Sequence, residues 1–157
     1  EYRYLKNNMP RREINETDKA YIAGIIDGEG CIMFGCTSRN AKRYKSPSFY
    51  SSVSVEMGCK EVPGFLFKLL GGGLKSRIRK DRNRQMWIWY ISGKIGGEVL
   101  KEIYPYLRLK KQEVELYIKF QETLNYQGSW KRLTEEIKQF RFNLIQELKE
   151  LRLSYGY

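Results

Sequence analysis

The chain has no histidine, and its three cysteines, Cys31, Cys36 and Cys59, lack the CxxC spacing of metal-binding pairs. We therefore expect neither a histidine general base nor a zinc site, which excludes nucleases of the histidine-metal type. Long apolar runs are also absent: none approaches the ~18 residues of a membrane-spanning helix, and no signal peptide opens the sequence. These absences predict an intracellular protein with no membrane partner.

Acidic residues are scarce relative to basic ones. The 18 Asp and Glu residues are outnumbered by 29 Lys and Arg residues, which gives a formal charge of +11. This charge exceeds what solubility needs and indicates an anionic partner, with nucleic acid as the leading candidate. The length of 157 residues, with 41% hydrophobic and 14% aromatic residues, fits one globular domain with a core.

The beginning of the chain differs from the rest. It carries Arg3, Lys6, Arg11 and Arg12 with little hydrophobic periodicity, so we interpret 1–16 as a basic N-terminal arm and 17–157 as a single domain. The arm could lie along a DNA backbone, or it could be a poorly ordered tail.

Residues 21–30, YIAGIIDGEG, predict a short apolar helix with either Thr17 or Asp18 as its N-cap. Gly24 and Gly28 lie four residues apart on one face. A glycine inside a helix costs about 0.5–1 kcal/mol relative to alanine, so this spacing indicates that another backbone approaches closely there. A second helix is the expected partner.

Two acids, Asp27 and Glu29, stand near the C-terminal end of this helix, where the helix dipole is negative and Lys or Arg would be favourable. A bound cation would reverse that penalty, and Mg²⁺ prefers carboxylates and other oxygen ligands. The acids could therefore form one half of a metal site, or they could be solvated residues of a frayed helix end.

The stretch 22–30, IAGIIDGEG, resembles the nine-residue signature of the LAGLIDADG homing endonucleases. It departs from that string by Ile at positions 22 and 25, Gly28 for Ala and Glu29 for Asp. The resemblance implies an α+β fold of the single-motif type, with an αββαββα core, a saddle-shaped antiparallel sheet and additional C-terminal helices. It also implies a homodimer in which the two signature helices meet, with interface residues Ile22, Ala23, Gly24, Ile26 and Asp27.

The same resemblance implies an activity. Family members are site-specific, intron-encoded DNA endonucleases, and a homodimer would make a magnesium-dependent double-strand break in a long, nearly palindromic double-stranded DNA. Glu29 would bind the catalytic cation, Mg²⁺ or another divalent ion such as Mn²⁺ or Ca²⁺, and the Gly28 carbonyl would be a second ligand. No small-molecule cofactor is implied, and the expected setting is an archaeon, a bacterium or an organelle.

Four strands are predicted beyond the motif, as hairpins at 31–37 with 48–56 and at 74–81 with 85–91, separated by a helix at 61–70. A two-stranded ribbon fits the major groove, where Arg contacts guanine. The alternating charges at positions 75, 77, 79 and 81 favour such readout, although they could instead protect an exposed edge strand. If the tryptophans of the last strand pack beneath the sheet, Met86, Ile88 and Tyr90 face the groove. The predicted DNA contacts are Met33, Thr37, Arg39, Lys42, Arg43, Lys45, Tyr50, Ser52, Ser54, Glu56, Lys75, Arg77, Arg79, Asp81, Arg82, Arg84, Ile88 and Tyr90.

Lys110 lies in the stretch 105–110, PYLRLK. Single-motif family members place a lysine in such a context beside the scissile phosphate, so the resemblance implies a catalytic role for Lys110. Periodicity predicts a helix from Pro105 to about Leu124, in which Lys110 could equally be a solvated residue. A long amphipathic helix is predicted to run from Trp130 to Leu151 and to cover the core.

One region departs from the family pattern. A polar residue such as Gln commonly ends the second strand near the site, whereas residues 56–60 here read EMGCK, so Glu56 or Lys60 could take its place. Two other functions remain open: an RNA maturase that assists intron splicing, and a non-cleaving DNA-binding regulator with the same fold.

Overall fold

The computed structural model describes residues 5–7, 13–37, 47–79, 83–125 and 133–156. Six of the predicted DNA contacts lie outside these ranges: Arg39, Lys42, Arg43, Lys45, Asp81 and Arg82.

The described chain alternates helices with pairs of strands. In order, its elements are β1 (Leu5–Asn7), α1 (Glu16–Glu29), β2 (Gly30–Thr37), β3 (Ser48–Met57), α2 (Glu61–Leu70), β4 (Gly72–Arg79), β5 (Arg84–Ser92), α3 (Gly93–Ile103), a 3₁₀ turn (Tyr104–Tyr106), α4 (Lys111–Asn125) and α5 (Glu135–Ser154). From α1 to α3 this is the αββαββα order, followed by further helices. The predicted α+β fold class is confirmed.

All the described strands form one antiparallel sheet in the order β1-β4-β5-β3-β2. β3 and β5 are its central pair, with Val53 opposite Ile91 and Val55 opposite Trp89. These four side chains are buried. The helices pack on this face of the sheet. Because successive side chains of a strand point to opposite faces, the residues that alternate with these four lie on the other face.

The tryptophan strand has the orientation on which the groove prediction depended. Trp89 has no exposed surface, and its indole N–H donates to the Gly71 carbonyl at 2.9 Å. Met86, Ile88 and Tyr90 therefore point to the opposite, helix-free face. Glycine is required next to this strand at position 72, where φ is +85° and a Cβ would lie 2.4 Å from the Tyr90 carbonyl oxygen.

The segment 1–16 is not wholly a separate arm. Leu5–Asn7 pairs with β4, with Leu5 opposite Leu74, and Ile14 is buried in the core. α1 begins at Glu16. The interpretation of 1–16 as an arm missed both anchors, because three residues are too few to show strand periodicity.

The helix predicted from Pro105 begins six residues later, at Lys111. Pro105 lies in the 3₁₀ turn, and Leu107 is extended, with φ −65° and ψ 145°. The next backbone amides, of Arg108 and Lys110, donate to the Asp27 carboxylate of α1. α4 thus begins later than predicted because residues before it bond to a distant segment of the chain. None of the described helices is both long and apolar enough to cross a membrane.

Candidate active site and nucleic-acid interface

The N-terminal end of the motif helix α1 is held by local contacts. Asn15 is extended and its side-chain oxygen accepts a hydrogen bond from the Asp18 N–H at 2.8 Å, so Asn15 is the N-cap, and the expected cap at Thr17 or Asp18 was wrong. Glu16 and Asp18 fall in the first turn, where negative charge interacts favourably with the helix dipole.

The buried side of α1 belongs to the core of its own chain. Ile22, Ala23 and Ile26 have no exposed surface. Side chains without accessible area cannot contact a second chain, so the interface expected from these three residues is corrected. Their apolar pattern is explained by packing within the subunit.

The exposed side of α1 consists of small residues and one aromatic ring. Gly24 and Gly28 are exposed, and Tyr21 is 51% exposed. A Cβ built on either glycine would meet no atom within 4 Å. Within the described part of the chain, no other backbone therefore makes the close approach to these glycines that their spacing predicts.

Asp27 attaches the C-terminal end of α1 to the loop before α4. Its two carboxylate oxygens accept hydrogen bonds from the Arg108 N–H at 2.6 Å and the Lys110 N–H at 2.9 Å. Asp27 is half-buried, and this use of both oxygens gives it a structural role that the sequence did not suggest. It leaves Glu29 as the motif acid without such contacts.

Lys110 supplies the cation that the last turn of α1 lacks. Its ammonium donates to the Ile26 carbonyl at 2.9 Å and to the Gly30 carbonyl at 2.7 Å, and its side chain is buried. Burial lowers the pKa of this ammonium, while the charges of Glu113 and Asp27 act in the opposite direction. The Ile26 carbonyl also accepts from the Gly30 N–H, so the ammonium adds a second hydrogen bond there, and its charge offsets the negative end of the helix dipole.

Glu29 ends the helix as an exposed residue. Within the described ranges its carboxylate has no hydrogen bond or ion pair. The Gly28 carbonyl belongs to the last turn, whose carbonyls lack helical partners by geometry. These oxygen donors suit a hard divalent cation. No cluster of three or more metal-ligating side chains occurs among residues 13–37, 47–79, 83–125 and 133–156.

Sequence reasoning missed an ion pair behind this site, in which the carboxylate is buried and the guanidinium is partly exposed. Glu113 of α4 accepts hydrogen bonds from Arg152 of α5, at 3.1 Å from Nε and 2.8 Å from Nη2. Nη2 of Arg152 also donates to the Ile32 carbonyl of β2. The available signal was a carboxylate at position 113 on the helical face that carries Tyr117 and Phe120, where an apolar residue would be expected.

The helix-free face of the sheet is cationic toward β4 and β5. It presents Lys75, Arg77, Arg79 and Arg84, since Lys75 stands opposite Ile88 and Arg79 opposite Arg84. Arg77 also forms a two-point ion pair with Glu56 of β3, at 2.9 and 2.8 Å. Such planar pairing fixes the guanidinium in one orientation.

Toward β2 and β3, the described part of the same face is uncharged apart from Glu56. Met33 and Tyr50 are exposed, Ser52 and Ser54 are half-buried, and the Thr37 hydroxyl donates to the Ser48 carbonyl at 3.3 Å. A depression of about 550 Å³ crosses the middle of the face. Its lining includes Tyr50, Ser52, Ser54, Lys75, Ile88 and Tyr90.

Ile88 points to the helix-free face as predicted, but it is only 8% exposed because its neighbours on β3 and β4 flank it. It forms the floor of the depression and offers little surface for a base. Lys75 lies over the Tyr90 ring, 5.3 Å from its centre. The two residues considered as replacements for the family's polar residue are engaged: Glu56 with Arg77, and Lys60 with the Trp87 ring at 4.8 Å.

Solved structures of homing endonucleases share this fold. The homing endonuclease I-CvuI, solved in complex with the I-CreI target, is 21% identical with a TM-score of 0.69, over 87% of this chain and 82% of that one. The archaeal intron-encoded homing endonuclease I-Vdi141I, complexed with DNA, is 15% identical with a TM-score of 0.69, over 86% and 84%.

A third structure is longer than this chain. The LAGLIDADG homing endonuclease I-LtrWI, bound to target DNA, is 16% identical with a TM-score of 0.61, over 91% of this chain but 48% of that one. No family model and no curated protein matches the sequence. The LAGLIDADG homing-endonuclease fold expected from residues 22–30 is confirmed by these structural likenesses.

Proposed function

We propose that this chain, which has the LAGLIDADG fold, is a site-specific DNA endonuclease of that family that cuts both strands as a homodimer with a divalent cation. The observation that carries the proposal is Glu29. It is an exposed carboxylate at the end of the motif helix, while its neighbour Asp27 is bound to backbone amides. A structural role accounts for Asp27 and leaves Glu29 unexplained.

The cationic face supports DNA as the partner. Lys75, Arg77, Arg79 and Arg84 lie on one side of the β4–β5 ribbon, and a two-stranded ribbon fits the major groove of B-DNA. Ser52, Ser54 and Tyr50 provide hydrogen-bonding groups on the adjoining β3. Affinity should therefore fall steeply with salt, with a slope of about −0.9 for each phosphate neutralised.

Glu29 and the Gly28 carbonyl would hold the cation, Mg²⁺ or another divalent ion in the same position. The chemistry that such an ion supplies when bound is activation of the attacking water and stabilisation of the leaving oxygen. Lys110 uses two of its three ammonium donors on the Ile26 and Gly30 carbonyls. We assign its third donor to the substrate side, where it would interact with the phosphate or with water.

A homodimer would complete the site. The exposed face of α1 with Gly24 and Gly28 is suited to close contact with the same face of a second chain. A twofold axis there would bring two copies of Glu29 together, one for each DNA strand, and would predict a nearly palindromic target. In this dimer the two chains would meet at the face of α1 that carries Gly24 and Gly28, and not at the buried Ile22, Ala23 and Ile26.

The test begins with selection of bound duplexes from a randomised DNA library, together with the intron-free form of the locus that encodes the chain. Selected duplexes are incubated with Mg²⁺ and wild type, Glu29→Gln or Glu147→Gln, the last being an exposed acid of α5. We expect both strands to be cut by wild type and Glu147→Gln only, and all three proteins to bind. Binding without cleavage by wild type would favour the regulator, and preference for intron RNA would favour the maturase.

The dimer has its own test. Gly24→Leu adds a side chain into open space of the single chain, so the fold should tolerate it while the dimer face does not. Gly64→Leu on α2 is the matched control, since a Cβ there also meets no atom within 4 Å. Sedimentation should give monomers for Gly24→Leu and dimers for Gly64→Leu; dimers in both would refute this interface.

A further inference from the structure

The segments on both sides of Glu29 are linked to Arg152 of the C-terminal helix α5, one directly and the other through the start of α4. After Glu29, the Ile32 carbonyl of β2 accepts a hydrogen bond from Nη2 of Arg152. Before it, the Ile26 carbonyl accepts from Lys110, which stands one turn ahead of Glu113 at the start of α4. Glu113 in turn accepts two hydrogen bonds from Arg152.

Burial restricts the partners that the Glu113 carboxylate can have. Glu113 is 2% exposed, and a buried carboxylate requires a charged partner and filled hydrogen-bonding positions. Its principal partner in the described chain is Arg152, whose planar guanidinium reaches two acceptors on two different elements at once. β2 is an edge strand of the sheet, so the Ile32 carbonyl has room to accept from a side chain.

We infer that Arg152 and Glu113 are positioning residues for Glu29, and that they fix the end of the motif helix through Lys110 on one side and β2 on the other. This inference rests on the proposed metal-dependent nuclease. Neither residue needs to touch the cation or the DNA. Residues that orient metal ligands from behind commonly change metal affinity or activity by about 10–100-fold when they are replaced.

The chain provides a matched control on the same helix. Arg141 of α5 is buried and donates two hydrogen bonds, to the Thr123 hydroxyl at 2.9 Å and the Thr123 carbonyl at 2.8 Å. These acceptors lie near the C-terminal end of α4, away from the motif. Arg141→Met therefore removes a comparable arginine without loosening Glu29.

The experiment compares wild type, Arg152→Met, Arg152→Lys, Glu113→Gln and Arg141→Met. Hydrogen exchange of residues 26–33 measures the order of the motif end without any metal or DNA. The Mg²⁺ concentration for half-maximal cleavage of a selected duplex, and the affinity for that duplex in EDTA, measure function.

For Arg152→Met and Glu113→Gln we expect faster exchange across residues 26–33 and a Mg²⁺ midpoint raised by about 10–100-fold. Affinity for DNA in EDTA should stay within about twofold. Arg152→Lys should recover part of the loss, since an ammonium can still donate to Glu113. Arg141→Met should lower the thermal midpoint and leave exchange at 26–33 and the Mg²⁺ midpoint unchanged.

If wild type cuts DNA and the Mg²⁺ midpoint is unchanged in Arg152→Met and Glu113→Gln, the positioning role is refuted and the proposed function stands. An equal change in Arg141→Met would also refute the positioning role, because the effect would then be one of general stability. If Arg152→Met does not fold, Arg152→Lys and Glu113→Gln decide by the same criteria. A wild type that cuts no selected duplex would refute the proposed function, and the positioning role with it.

Discussion

The two ends of the motif helix α1 are stabilised in opposite ways. The N-terminal end relies on neighbours in sequence: Asn15 caps it, and Glu16 and Asp18 fill its first turn. The C-terminal end has no basic residue of its own and depends on Lys110, which lies 80 residues from Gly30. The N-terminal end is thus stabilised by residues next to it in sequence. The C-terminal end, which carries the proposed metal ligand Glu29, is stabilised by a residue from a distant part of the chain.

This difference has a physical reason. A local cation in the last turn would offset the dipole but would also pair with Glu29 and compete with the proposed metal ion. A remote, buried lysine binds the backbone carbonyls and leaves the Glu29 carboxylate exposed. The four substitutions below test the contrast between the two ends, in order of the expected change in stability.

Lys110→Met should have the largest effect. It removes the charge that binds the Ile26 and Gly30 carbonyls and leaves the nearby acids Asp27 and Glu113 without it. Removing one member of a buried charged group costs about 3–5 kcal/mol, so we expect a loss of about 3 kcal/mol in the free energy of unfolding by urea. Lys111→Met, at the adjacent and less buried position, should cost under about 1 kcal/mol. Equal losses would contradict the assignment.

Asp27→Asn should have the next largest effect. One side-chain oxygen would remain as an acceptor, while the new amide group would face a backbone N–H of Arg108 or Lys110. Loss of a hydrogen bond to a charged group costs about 1.5–3 kcal/mol. The control is Glu98→Gln on α3, an exposed acid 3.8 Å from Lys94, for which we expect almost no change. A loss in Asp27→Asn no larger than in this control would show that Asp27 does not hold the loop.

Asn15→Ala should cost about 1 kcal/mol, the usual value for a lost N-cap. Thr134→Ala removes the cap of α5, whose hydrogen bond to the Ile137 N–H is longer, at 3.4 Å against 2.8 Å for Asn15. Chemical denaturation should therefore show the smaller loss for Thr134→Ala. The reverse order would argue that the N-terminal end of α1 is held by more than its cap.

Glu29→Gln should change stability least and in the opposite direction. It removes a negative charge at the negative end of a helix, which should raise the free energy of unfolding by about 0.3–1 kcal/mol. The same variant should lose DNA cleavage. A gain in stability with a loss of activity would separate Glu29 from the structural residues around it, whereas a loss of stability would reveal a structural contact.

The sequence predicted those parts of the fold that depend on local pattern. The helix at 61–70 was found with its observed bounds, and the hairpin strands were found within two residues at every end. The strand at Leu5–Asn7 and the late start of α4 were missed. The strand exists through pairing with Leu74, and the start of α4 is set by Asp27, so neither is encoded in neighbouring residues.

The candidate site shows the same division. The motif and its resemblance identified Glu29 and Lys110 as residues of interest, and their roles remain proposals. Sequence reasoning placed Ile22, Ala23 and Ile26 in a dimer interface, but the chain buries them in its own core. Apolar residues look alike whether their partner is the same chain or another. Glu113 and Arg152 could not be paired in advance, since 39 residues separate them.

The charges along β4 have a second consequence, for attempts to change the proposed DNA target. β1 covers only the Gly72–Leu74 end of this strand, so the backbone from Lys75 to Arg79 borders no other described strand on that side. Charged side chains on such an edge discourage pairing with strands of other molecules. Replacing Lys75, Arg77 and Arg79 together by uncharged residues would therefore favour aggregation. Retargeted variants should exchange these positions one at a time, or restore the lost charge nearby on the same edge.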